Sequence, residues 1–110
     1  MARFVKGDVV VIPFPFSDLT SVKRRPALVI AKLEGDDLIL CQITSQRFED
    51  KYAVSIEEND FESGTLRRKS NVRPHRIFTA DRRIVLYSVA HFKSNKVGEV
   101  IDNIIEILQQ

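Results

Sequence analysis

The chain has 110 residues, 44% of them hydrophobic and 29% charged, and its formal net charge is only +2. That length fits one domain with one modest core, and the apolar fraction excludes an intrinsically disordered chain. A single cysteine excludes an internal disulfide framework. Two histidines and that one cysteine, far apart, exclude a zinc cluster.

Val9 to Ile12 is a β-branched run behind Gly7-Asp8, and Pro13-Phe14-Pro15-Phe16 stops it. It reads as a buried first strand with a stiff exit. Ser17 to Arg24 is polar and reads as an exposed loop. Pro26 to Leu33 and Leu38 to Ile43 flank Glu34-Gly35-Asp36-Asp37, the clearest hairpin in the chain. Cys41 falls inside that apolar run and reads as a buried, inert thiol.

Ala53 to Ile56 predicts a short strand, followed by an acidic stretch and a turn at Ser63-Gly64. Ser70 to Arg73 and Ile77 to Thr79 flank Pro74, which predicts an edge position or a bulge. Asp81 to Tyr87 is expected as a short helix and Ser88 to Phe92 as a last strand. From Val97 the pattern changes: Val100, Ile101, Ile104, Ile105 and Leu108 recur at helical spacing, with Ser94 or Asn95 available as a cap. Several short strands and one terminal amphipathic helix predict a mainly β fold, a small barrel with a packed helix. Without repeats, low-complexity stretches or linkers, residues 1–110 read as one domain.

No apolar run approaches membrane-spanning length, and the run at 9–16 lacks the marks of a signal peptide. A cytoplasmic protein is the expectation. The basic residues cluster at Lys23-Arg24-Arg25, Arg67-Arg68-Lys69, Arg73, Arg76 and Arg82-Arg83, and the acids gather at 34–37 and 57–62. Such segregation suits a protein with one positive face, although it is equally how solvated surface looks.

There is no glycine-rich phosphate loop and no Gly-x-Ser-x-Gly elbow. An enzyme built from this chain works with Arg, Thr, Ser, His or carboxylates, and with neither cofactor nor metal. One constellation stands out. Arg25 enters one strand of the 26–43 hairpin, and Thr44 and Ser45 leave the other. Entry and exit of an antiparallel pair are neighbours, so Arg25 and Thr44 are expected to meet. A guanidinium beside two hydroxyls makes a phosphate site, because Arg offers planar bidentate donors.

The stretch GDVVVIPFPFSDLTSVKRRPALVI followed by CQITSQ resembles the MazF/PemK (Kid) mRNA interferases. The later block of Leu66, Ser70, Val72, Ile77, Thr79 and Asp81 is similar too, so the resemblance covers essentially the whole chain. It implies an SH3-like barrel homodimer of the CcdB/MazF kind, held in check by a cognate antitoxin, that cleaves single-stranded RNA. It assigns an acid/base and transition-state role to Arg25 and phosphate positioning to Thr44. The RNA's own 2′-hydroxyl is the nucleophile, which removes the need for a metal. Where one branch of the family carries an acid, this chain has His75, which is open to two readings: general base or RNA contact.

The residues expected to bind RNA are Phe16, Ser17, Lys23, Arg24, Ser45, Gln46, Arg73 and His75. Phe16 is the aromatic nearest the loop, and His91 reads as structural. Two rival readings stand beside this one. A barrel of CcdB type inhibits a protein such as gyrase without catalysis, and a degenerate paralogue binds RNA without cutting it.

Overall fold

The computed structural model describes residues 3–15, 22–45 and 51–110. Among these residues seven strands, β1 (Asp8–Pro15), β2 (Val22–Lys32), β3 (Asp37–Thr44), β4 (Val54–Ser55), β5 (Phe61–Gly64), β6 (Asn71–Asp81) and β7 (Tyr87–Phe92), precede one α-helix, α1 (Ser94–Leu108). All pairings are antiparallel, and the order across the sheet is β4-β6-β3-β2-β1-β7-β5. The mainly β fold with a C-terminal helix is as expected, with the sheet curled into a half-barrel whose edges are the short β4 and β5.

The period-2 alternation of the central strands splits the core in two. Val9, Leu28, Cys41, Ile43 and Val72 pack with Val97, Val100 and Ile104 of α1. Val10, Ile12, Ala27, Val29, Leu38 and Leu40 form a second cluster with Phe4 on the opposite face. A β-branched run buried on both faces, such as Val9 to Ile12, is what a central strand requires. Full burial of one such side chain contributes about 1.5–3 kcal/mol.

Several boundaries differ from the expectation, among them β5, a strand over Phe61–Gly64 in place of the turn expected at Ser63-Gly64. β1 runs through Pro13 to Pro15, and β2 begins at Val22, so Lys23 and Arg24 lie in a strand and not in a loop. The prolines are tolerated because β7 pairs only with residues 8–11, leaving β1 unpaired on that side beyond Val11. β6 is continuous across Pro74, and the bulge predicted there is present. Between the pairs Cys41↔Ile77 and Ile43↔Val72, residues 73–76 stand against Gln42 alone.

The short helix expected over Asp81 to Tyr87 reduces to a single 3-10 turn, Arg82–Ile84. The Asp81 side chain accepts from the Arg83 N–H there, before Tyr87 opens β7. Helix α1 starts at Ser94 without a side-chain cap. Its entry is held instead by Lys93 N–H, which donates to Asp60 O at 2.9 Å, and by the buried Lys96. The Lys96 ammonium donates to Ser55 O at 2.7 Å and lies 3.2 Å from both Asp60 and Glu99. Three oxygens satisfy a charge that would otherwise be costly to bury.

Gly64 ends β5 with φ +69, and a Cβ there would come within 2.2 Å of Val89 O. Only glycine fits both the left-handed backbone and the close approach to β7.

Candidate nucleic-acid interface

The hairpin register sets the site. Ala27 pairs with Gln42 and Leu28 with Cys41, and the same register carried two residues further puts Arg25 opposite Thr44. On the other side of β3, Thr44 pairs with Asn71 of β6. Arg25 alternates onto the face of Ala27 and Thr44 onto that of Leu40, while Arg73 follows Val72 at the start of the β6 bulge. Three neighbouring strands therefore bring Arg25, Thr44 and Arg73 to one end of the sheet. Thr44 is 4% exposed, Arg25 and Arg73 are half-buried, and the Arg25 Nε is enclosed.

The same sheet end opens into a cavity of about 770 Å³. Arg25 lines it together with Lys23, Arg24, Ser45, Arg67 and Arg68, over a floor that includes Val11, Pro26 and Ile43. No carboxylate lines it among the described residues. Arg25 is common to both arrangements. The two hydroxyls expected side by side are separated: Thr44 takes the face of Gln42, and Ser45 takes the cavity with Ile43. Adjacent residues at a strand end diverge, so a phosphate meets Arg25 with Thr44 or with Ser45, not with both.

Arg73 and His75 do not line the cavity. An Arg73 NH2 lies 3.4 Å from His75 Nε2, and the His75 ring sits 5.4 Å from that of Tyr52. Tyr52 in turn donates to Gln110 at the end of α1. Because guanidinium only donates, His75 Nε2 is the acceptor in this pair. Phe16, Ser17 and Gln46 lie outside the described residues.

Burial pushes the Cys41 thiol up to about 12, and its Sγ donates to Arg73 O at 3.1 Å. It is the inert thiol expected. His91, read as structural, is held at 2.8 Å by Asp8 and faces Glu62 at 3.7 Å, away from the cavity. Among the described residues no three His, Cys, Asp or Glu side chains converge to hold a metal ion. No helix among the described residues is long and apolar enough to cross a membrane. Arg67, Arg68 and Tyr87 complete the cavity lining and were not singled out as binding residues by the sequence. The basic run at 67–69 was the available signal, but nothing in it says which strand end the run faces.

A small curled sheet with a terminal helix and a basic strand end describes a compact β protein with a site suited to an anion. Residues 5–108 match the model of the PemK-like, MazF-like toxin of type II toxin–antitoxin systems, and the chain belongs to that family. Solved structures share the fold at low identity. A MazF of Deinococcus radiodurans is 20% identical with a TM-score of 0.76, and the match covers 100% of both chains. The MazE–MazF complex of that organism gives 18% and 0.74, covering 98% of this chain and 97% of that one. An endoribonuclease from a mycobacterial species, in complex with its cognate antitoxin, gives 13% and 0.76 over 97% and 96%. No curated protein sequence matches.

Proposed function

We propose that this chain is a single-domain toxin over residues 1–110 that cleaves single-stranded RNA in the cytoplasm as a homodimer. A cognate antitoxin restrains it. The observation that supports the reading is that Arg25 and Arg73 lie in the two strands that pair with β3, near its end at Thr44. Two guanidiniums around a buried hydroxyl suit a phosphodiester that gains charge as it becomes a phosphorane. The structural relatives named as endoribonucleases, one with its antitoxin bound, support the reading.

In this mechanism the 2′-hydroxyl of the RNA attacks the adjacent phosphorus, its proton passing to solvent water, and the bond to the 5′-oxygen breaks. A 2′,3′-cyclic phosphate and a 5′-hydroxyl result. Arg25 donates to the non-bridging oxygens, supplies the proton the leaving oxygen needs, and takes a proton back from the solvent. Thr44 fixes the phosphate. Arg73, oriented by His75, and Lys23, Arg24 and Ser45 hold the flanking RNA, as do Phe16, Ser17 and Gln46. His75 is assigned to contact RNA, because its Nε2 already accepts from Arg73. The nucleophile belongs to the substrate, so the reaction needs no metal.

The experiment is to incubate pure protein with a long RNA in EDTA and map the ends. Cyclic phosphate and 5′-hydroxyl termini are expected, with no cleavage where the cut-site nucleotide is 2′-deoxy. Activity lost to chelator and restored by Mg²⁺ overturns the mechanism. RNA bound but intact overturns the catalytic assignment, and no effect on RNA favours a protein target.

A further inference from the structure

The segment between β5 and β6, residues 65–70, carries Arg67 and Arg68, neither of which the mechanism above uses. Both are exposed, and neither forms an ion pair among the described residues. The segment is nonetheless built in. Gly64 turns the chain off β7, and Leu66 packs on the helix-side core. Ser70, itself 4% exposed, donates from Oγ to Arg68 O at 2.9 Å, while its carbonyl accepts from Ile56 N–H at 3.1 Å. With both ends anchored, the two guanidiniums are presented from a fixed backbone across the cavity from Lys23 and Arg24.

We propose that segment 65–70 is the second wall of a single-stranded RNA cleft, in which Arg67 and Arg68 hold phosphates flanking the cut and Tyr87 stacks a base. This rests on the endoribonuclease reading and extends it to residues outside the reacting face. The cavity of about 770 Å³ falls in the about 300–1,000 Å³ range of ligand sites, room for about one or two nucleotides. Its rim is cationic on both sides, matching a backbone with one charge per nucleotide. Tyr87, 47% exposed on the cavity lining, supplies the flat apolar surface on which an unpaired base stacks. An acidic peptide would satisfy the guanidiniums but would leave that ring unused, which favours RNA. Glu57 and Glu58 line an adjoining hollow of about 260 Å³ that shares Arg67 and Arg68 with the cavity; no carboxylate lines the cavity itself among the described residues.

The test uses full-length protein and a non-cleavable RNA carrying a 2′-deoxy cut site, titrated across salt. Arg67→Ala/Arg68→Ala should weaken binding about tenfold to hundredfold. It should also lower the slope of log affinity against log salt by about 1.4, two contacts at about 0.7 each. With cleavable RNA the same variant should raise KM and leave kcat unchanged, since these contacts hold ground and transition states alike. Tyr87→Leu should weaken binding several-fold without moving the slope. The charge-matched control Lys6→Ala/Lys93→Ala removes two exposed cations that do not line the cavity and should leave the slope unchanged.

If the control lowers the slope as much as the Arg pair does, the effect is net charge and the cleft is overturned. If the Arg variants weaken only a poly-glutamate peptide and not RNA, the occupant is wrong. A wild type that cuts RNA while the Arg variants bind and cut as it does overturns the cleft and leaves the endoribonuclease reading standing. A wild type that neither binds nor cuts RNA overturns both.

Discussion

The two faces of one strand end do different work. On one, Thr44 is buried between β2 and β6, the strands that carry the half-buried Arg25 and Arg73. On the other, Lys23, Arg24, Arg67 and Arg68 are exposed around an open cavity. Groups that stabilise a developing charge must be fixed and desolvated, because their hydrogen bonds gain most where water is excluded. Groups that gather a polyanion need only point outward, and their effect is screened by salt. Consecutive residues supply both in β3, Ser45 with Thr44, whereas Arg25 borders both sides. The alternation of a β-strand separates the two hydroxyls, and Arg25 joins capture to catalysis.

The sharpest way to break this division is at Arg25. Arg25→Ala should lower kcat about 10²–10³-fold, the loss typical of a removed transition-state donor, while Arg24→Ala raises KM alone. Steady-state kinetics on one RNA decide it, and equal kcat losses would erase the distinction.

A backbone change comes next. Gly64→Ala places a side chain at φ +69 against Val89 O and should cost at least about 2 kcal/mol in denaturant melts. Because Gly64 launches the 65–70 wall, the surviving folded protein should also bind RNA more weakly with kcat retained. The two hydroxyls give a smaller contrast. Thr44→Val should lower kcat about tenfold, one hydrogen bond to a charged group. Ser45→Ala should leave kcat within about twofold, since a cavity contact binds ground and transition states alike.

The smallest effect lies away from both faces. Three hydrogen bonds from Arg83, two from its guanidinium and one from its backbone N–H, hold the Asp81 carboxyl down at about 2, against an ordinary 3.8. A depressed carboxylate stabilises the fold above its unfolded value and loses that contribution as pH falls from 3.8 toward about 2. Asp81→Asn should therefore be slightly less stable than wild type at neutral pH and converge with it near pH 2. Curves that stay parallel would show that the pair contributes nothing.

The hairpin, the helix and the position of Arg25 and Thr44 at the same end of adjacent strands were legible because each rests on local pattern. A Gly-Asp turn between two apolar runs sets the register, and register alone places residue 25 against residue 44. The 65–70 wall was not legible, since its position depends on Gly64 docking on β7, a strand more than twenty residues later. The strand character of Lys23 and Arg24 was hidden for a related reason. Polar residues pair in a strand wherever a neighbour offers free hydrogen bonds, and the Pro13–Pro15 end of β1 offered them. The divergence of Thr44 and Ser45 was implicit in the period of two, but only a known burial pattern says which face is which.

Lys96 bears on a hazard common to open sheets. A half-barrel has two free margins, and each presents unpaired amides and carbonyls to any passing chain. Here those margins are the two-residue β4 and the four-residue β5, and the Lys96 ammonium reaches Ser55 in the first and Asp60 just ahead of the second. One buried charge spans the gap that a further strand would fill. Removing it would unfasten both margins at once, so Lys96→Ala should show its defect first as self-association and turbidity on mild heating, before any loss of RNA cleavage.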